Sequence, residues 1–148
     1  MEKEVDRMDR FEFLLGNWHM EYKIPKSRHS KAMTATGSGT LSRALSNKYV
    51  VFDYSAFGED GTEGQAHAIF AWDPKLGVYR FWWFEDSGNF MSATCDFVNN
   101  ETLLLNWHNS LLIQTFQKIG SDKVILKMEE PNAECEYVPI MEVTFSRK

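Results

Sequence analysis

From Met33 onward the chain repeats one pattern, a run rich in β-branched and aromatic residues followed by a short cluster of Gly, Pro, Asn, Asp or Ser. The interval is roughly 8 to 12 residues, the rhythm of an antiparallel meander that closes into a barrel or folds as a sandwich. The breaks are specific. Glu59 to Thr62 reads EDGT, where Asp-Gly supplies the positive φ of a tight hairpin, and Asp73 to Gly77 reads DPKLG, where Pro74 presets φ and Gly77 closes the turn. Asn47 and Lys48, Asp86 to Asn89, Asn99 to Glu101, His108 to Ser110 and Gly120 to Asp122 complete the series. Connections this short make sequential strands antiparallel neighbours. Gly37 and Gly39, inside the run from Met33 to Leu45, predict a sharp bend or bulge of the kind a barrel corner needs.

The stretch Phe11 to Ile24, FEFLLGNWHMEYKI, changes period midway. Asp9 as N-cap with Glu12 three positions on predicts a short helix to Leu15, with Phe11, Leu14 and Leu15 on one face and Gly16 as the stop. From Trp18 the pattern alternates, with Trp18, Met20, Tyr22 and Ile24 inward and His19, Glu21 and Lys23 outward. With this strand the total is about ten, and pairing of the first with the last would remove both exposed edges.

Gly16 and Trp18, at the head of the first strand behind a helical turn, resemble the Gly-x-Trp entry of the lipocalin-like, or calycin, barrels. FLLGNW followed by xxE is similar to the opening of an uncharacterised, mostly bacterial lipocalin-like family of about this length. The resemblance implies that an Arg of the last strand packs over that Trp, and Arg147 in the terminal TFSRK matches it. The expected fold is therefore all-β, a single antiparallel up-and-down β-barrel of lipocalin-like type, with the N-terminal helix closing one end. A related calycin group, the nitrobindin-like haem proteins, uses a barrel His as iron ligand, and its characteristic late His has no counterpart in the final strand here.

At 148 residues with 43% hydrophobic content, one sizeable core is expected. Aromatic content of 14%, with Trp 5 and Phe 11, favours strands or a lined cavity over a helical bundle. A formal net charge of -5 argues against nucleic acid, which calls for a basic surface. No segment is long and apolar enough for a membrane helix, and the N-terminal MEKEVDRMDR has no apolar leader core, so the expected compartment is cytoplasmic. Cys95 and Cys135 lack metal or redox spacing and are expected to be free thiols.

The sequence carries no phosphate-binding loop, no HExxH, no GxSxG and no Cys/His cluster at metal-ligand spacing, so no catalytic residue, metal or cofactor is assigned. The leading expectation is binding of a small, largely apolar ligand inside the barrel, lined by Met20, Tyr22, Tyr54, His67, Trp83 and Trp107, with Tyr22 and His67 as its polar contacts. Beside it stands an enzyme in which His67, with Glu85 across the sheet, moves a proton. The bland reading of His67 is a histidine satisfied by a neighbouring strand residue or by water. The third expectation is an interaction module whose barrel is filled by its own side chains. Phe81 to Phe84 places aromatics on both faces of one strand, so the outer face needs a cover, and homodimerisation would supply it. Pro25 to Lys31, with Lys26, Arg28, His29 and Lys31, reads as a solvated loop or as a cationic mouth that draws anions. Asp53 is expected at the surface.

Overall fold

The computed structural model describes residues 6–148. Residues 1–5, on which the leader expectation partly rests, lie outside the described residues. The strands are β1 (Gly16–Ile24), β2 (Met33–Ala44), β3 (Tyr49–Gly58), β4 (Glu63–Asp73), β5 (Val78–Glu85), β6 (Phe90–Asn99), β7 (Thr102–Trp107), β8 (Ile113–Lys118), β9 (Lys123–Pro131) and β10 (Tyr137–Arg147). Each pairs antiparallel with its sequence neighbour, and β1 pairs with β10 from Trp18↔Arg147 to Lys23↔Glu142, so the meander closes into a ten-stranded barrel. Closure leaves no unpaired strand edge among the described residues.

The helix departs from its predicted form. It is a 3-10 helix, Arg7–Leu14, and its cap is Asp6, whose carboxylate accepts the Met8 N–H at 2.9 Å. Three residues per turn put Met8, Phe11 and Leu14 on one face, and all three are buried. Leu15 lies beyond the last turn. Asp9 and Glu12, one turn apart, are both held by Arg43, at 2.9 and 2.7 Å. They tie the helix to β2 rather than capping it.

That helix is the plug of one barrel end. The Phe11 ring sits 4.9 Å from Phe70, 5.3 Å from Tyr79 and 5.0 Å from Phe97, centroid to centroid. Full burial of such a ring stabilises by about 1.5–3 kcal/mol. Trp18 Nε1 donates to the Leu14 carbonyl at 2.9 Å, and Tyr79 Oη donates to the Arg7 carbonyl at 2.7 Å. Arg147 stacks on Trp18 at 4.2 Å and donates to the carbonyls of Leu15 and Phe13 at 2.7 and 3.2 Å. Gly16 has φ of 127°, and a Cβ there would stand 2.7 Å from the Arg147 guanidinium, so glycine is required on both counts.

Gly37 and Gly39 mark no bulge: β2 pairs with β1 and β3 in continuous register through both. They leave space inside the barrel. A Cβ on Gly39 would meet the Phe52 ring at 2.8 Å, Tyr54 Cβ at 3.0 Å and Met20 Sδ at 3.1 Å. One on Gly37 would meet the Ser55 carbonyl oxygen at 2.6 Å and the Tyr22 ring at 3.2 Å. The irregularities fall elsewhere, between Phe97 and Asn99 and between Pro139 and Met141. The second lets β10 begin at Tyr137, earlier than Pro139 would suggest.

Since a backbone oxygen cannot step aside for a methyl group, Gly37→Ala is expected to cost about 1–3 kcal/mol in chemical denaturation. Gly64→Ala, where nothing lies within 4 Å, should change stability by less than ~1 kcal/mol. Equal effects at the two positions would contradict the interior-space account.

Candidate functional site: an apolar cavity at the open end

The plugged half of the barrel is filled by rings, among them Trp18, Phe70, Phe116 and Phe145, each fully buried. Toward the other end the interior opens into a cavity of about 250 Å³. Its deeper wall is Met20, Phe52, Phe81, Phe116, Leu126 and Val143. Nearer the mouth stand Tyr22, Tyr54, Trp83, Met91, Trp107, Leu112, Gln114, Met128 and Met141. Alternation on each strand aims these side chains inward, as in β9, where Val124, Leu126 and Met128 share one face.

The polar atoms of this wall are few. Trp83 Nε1 donates to Tyr54 Oη at 2.8 Å, and Trp107 Nε1 donates to Gln114 Oε1 at 3.2 Å. The Tyr22 hydroxyl is buried and has no hydrogen-bond partner among the described residues. Burial, and then the neighbouring Tyr54, push the Tyr22 pKa far above the ordinary phenol value. Tyr54 is also raised, chiefly by burial, with the bond from Trp83 opposing. Both are neutral phenols at physiological pH.

Met20, Tyr22, Tyr54, Trp83 and Trp107 thus share this cavity. His67 does not. It points to the outer wall with its side chain half exposed, and its Nδ1 pairs with Asp53 on the adjacent strand. The register sets this: Asp53↔His67 are direct partners, and Ala66, Ala68 and Phe70 take the inward positions of β4. Register also separates His67 from Glu85. His67 lies opposite Phe84 and Glu85 opposite Ala66, so the two residues alternate to opposite faces, and Glu85 instead accepts from Asn89 at 2.8 Å. The proton-transfer pair is not assembled.

The cationic mouth is corrected as well. Glu130 ends the inward face of β9, is buried, and holds His29 at 2.7 Å and Arg28 at 3.2 Å across the start of β10. The bond from His29 first, and then that from Arg28, keeps the Glu130 carboxyl below its usual range. The loop after β1 is therefore fastened at the rim by its own counter-charge. Only Lys26 and Lys31 of its four predicted cations remain outside this cluster. His108 meets Ser92 at 2.8 Å, and His19 lies 3.8 Å from Glu21. Among the described residues no group of three His, Cys, Asp or Glu side chains is placed to hold a metal ion.

Gln114 is the cavity residue that sequence reading passed over. Its signal was present, an amide sharing parity with Phe116 and buried like it. Met91, Met128 and Met141 were overlooked because methionine serves equally as core filling.

No protein-family model matches the chain, and no curated protein matches it. Solved structures do. The M. tuberculosis protein Rv2717c aligns over 98% of this chain and 99% of its own, at a TM-score of 0.67 and 9% identity. The fold is shared. A de novo designed fluorescence-activating β-barrel aligns over 98% of this chain and 100% of its own at a TM-score of 0.47 and 11% identity. The 9% identity to Rv2717c carries fold alone.

The orphan hydroxyl gives a counterintuitive expectation. Tyr22→Phe removes a buried oxygen without a partner, so the ligand-free protein should keep its stability or gain about 1 kcal/mol. Tyr79→Phe, which breaks the bond to the Arg7 carbonyl, should lose about 0.5–1.5 kcal/mol. Thermal unfolding of the two variants distinguishes them, and a marked loss in Tyr22→Phe would contradict the geometry.

Proposed function

We propose that this chain is a lipocalin-like barrel of the calycin type that binds a small, largely apolar molecule in the cavity at its open end. The calycin assignment is supported by Gly16, Trp18 and Arg147, which meet at the plugged end as one contact set. Binding is supported by one observation above all, that fifteen residues of the barrel interior leave about 250 Å³ of room. An interior packed to native density leaves few voids larger than a water molecule. Lining by aromatic and Met side chains with a small number of polar groups matches the usual make-up of small-molecule sites. The free thiols, Cys95 buried and Cys135 exposed, accord with a reducing, cytoplasmic setting.

Native mass spectrometry of gently purified protein, followed by organic extraction, tests this. A reproducible adduct that extraction removes is the expected result. Met128→Trp, which puts an indole into the cavity, should weaken binding of naphthalene by about tenfold or more, equivalent to ~1.4 kcal/mol. The bare chain mass, together with tryptophan emission unaltered by naphthalene, would overturn the reading.

A second reading rests on a separate surface. Phe84 and Phe90 are directly opposed on β5 and β6, and both are exposed on the outer wall beside Trp82. Contiguous exposed aromatics favour an interface, here self-association of two copies. Sedimentation at high concentration is expected to show a dimer that Phe84→Ser with Phe90→Ser dissociates, and a monomeric wild-type protein would remove this reading.

A further inference from the structure

The polar groups of the cavity leave the protons of Tyr22 and Tyr54 without an acceptor in its wall. An indole N–H can only donate, whereas a phenol oxygen and an amide oxygen can accept. Trp83 donates to the Tyr54 oxygen and Trp107 donates to the Gln114 carbonyl oxygen, so each indole occupies one of the two lone pairs of its neighbour's oxygen. Fixing Gln114 Oε1 against Trp107 also fixes which end of that amide is nitrogen. Both residues keep protons as well, the Tyr54 O–H on one wall and the Gln114 NH2 beside Met128 on the other. The Tyr22 O–H adds a third, and it has no partner among the described residues. An unpaired buried donor costs about 1–3 kcal/mol, and a ligand that accepts from it recovers that cost.

Charge is excluded by the same wall. Among the described residues no Lys, Arg or His lines the cavity, and Arg28 and His29 of the loop after β1 are held by Glu130. A carboxylate entering here would lose its hydration with no counter-ion to replace it. Size sets the remaining limit. An apolar cavity of about 150 Å³ holds benzene. About 250 Å³ therefore takes one substituted ring or two fused rings.

We propose that the cavity selects a neutral molecule of one or two rings whose carbonyl or ether oxygen accepts hydrogen bonds from the Tyr22 and Tyr54 hydroxyls. This rests on the ligand-binding reading above and adds the ligand's chemical class. Tyr22 and Tyr54 stand on the two strands flanking β2, where Gly37 and Gly39 give their rings room, so the oxygen is directed to that wall. The apolar body then faces Met128 and Met141 on β9 and β10.

Indane and 1-indanone share one fused-ring frame and differ by a carbonyl oxygen, so they separate the inference from its foundation. Both are titrated against wild-type protein and Tyr22→Phe by tryptophan fluorescence and ligand-observed NMR. The wild-type protein should bind 1-indanone more tightly than indane, and Tyr22→Phe should weaken 1-indanone by about tenfold while leaving indane within about twofold. Indane binding as tightly as 1-indanone, or a variant that shifts both probes alike, would overturn the donor-set proposal and leave cavity binding intact. Failure of both probes to bind wild-type protein would overturn the cavity reading along with it.

Discussion

The plugged end depends on one guanidinium. Arg147 lies over the Trp18 ring and donates to the carbonyls of Phe13, Leu15 and Ser121, joining the last strand, the first strand, the helix end and the turn before β9. Carbonyls at a helix C-terminus have no partner within the helix, and a side chain brought from elsewhere in the chain must satisfy them. Trp18 and Arg147 are also the first register pair of the β1–β10 seam, where an open meander becomes a closed barrel. The cation-π contact contributes about 0.5–2 kcal/mol. Its larger consequence is geometric, because Gly16 must have no side chain for the guanidinium to pass.

From that node the interior is built in two halves. Below, the helix brings Met8, Phe11 and Leu14 down onto Phe70, Tyr79 and Phe97, and the space is filled. Above, the barrel has the same strand count but no plug. Gly37 and Gly39 let Tyr22, Phe52 and Tyr54 lie close to β2, which draws these three rings to one wall and leaves volume beside the methionines of β9 and β10 open. The cavity is therefore a product of where small and large residues sit around the barrel, and the tryptophans that line it also set its hydrogen-bonding character.

Much of this architecture was legible from alternation. Strands with a clear contrast between faces, such as Trp18-Met20-Tyr22 against His19-Glu21-Lys23, announce which side is buried. β4 has no such contrast. Its inward positions include Ala66 and Ala68, while Ile69 points out, so parity alone made His67 look like an interior residue. The Asp53 partner that explains His67 comes from register, which alternation does not specify. The cap was misplaced for a related reason: Asp9 and Glu12 have capping-box spacing, but a 3-10 helix anchored by Arg43 uses that spacing for ion pairs instead. The glycines of β2 could be read as a bulge because the side chains packed against them, Met20, Tyr22, Phe52 and Tyr54, lie on other strands.

The barrel interior is open at one end and filled at the other. A crystal of the protein pressurised with xenon tests this directly, since xenon enters dry apolar cavities and finds no room in a packed core. The expected result is xenon between Trp83, Trp107 and Met128 and none between Phe11, Phe70 and Trp18. An upper cavity collapsed onto its own side chains, with no xenon bound, would contradict it.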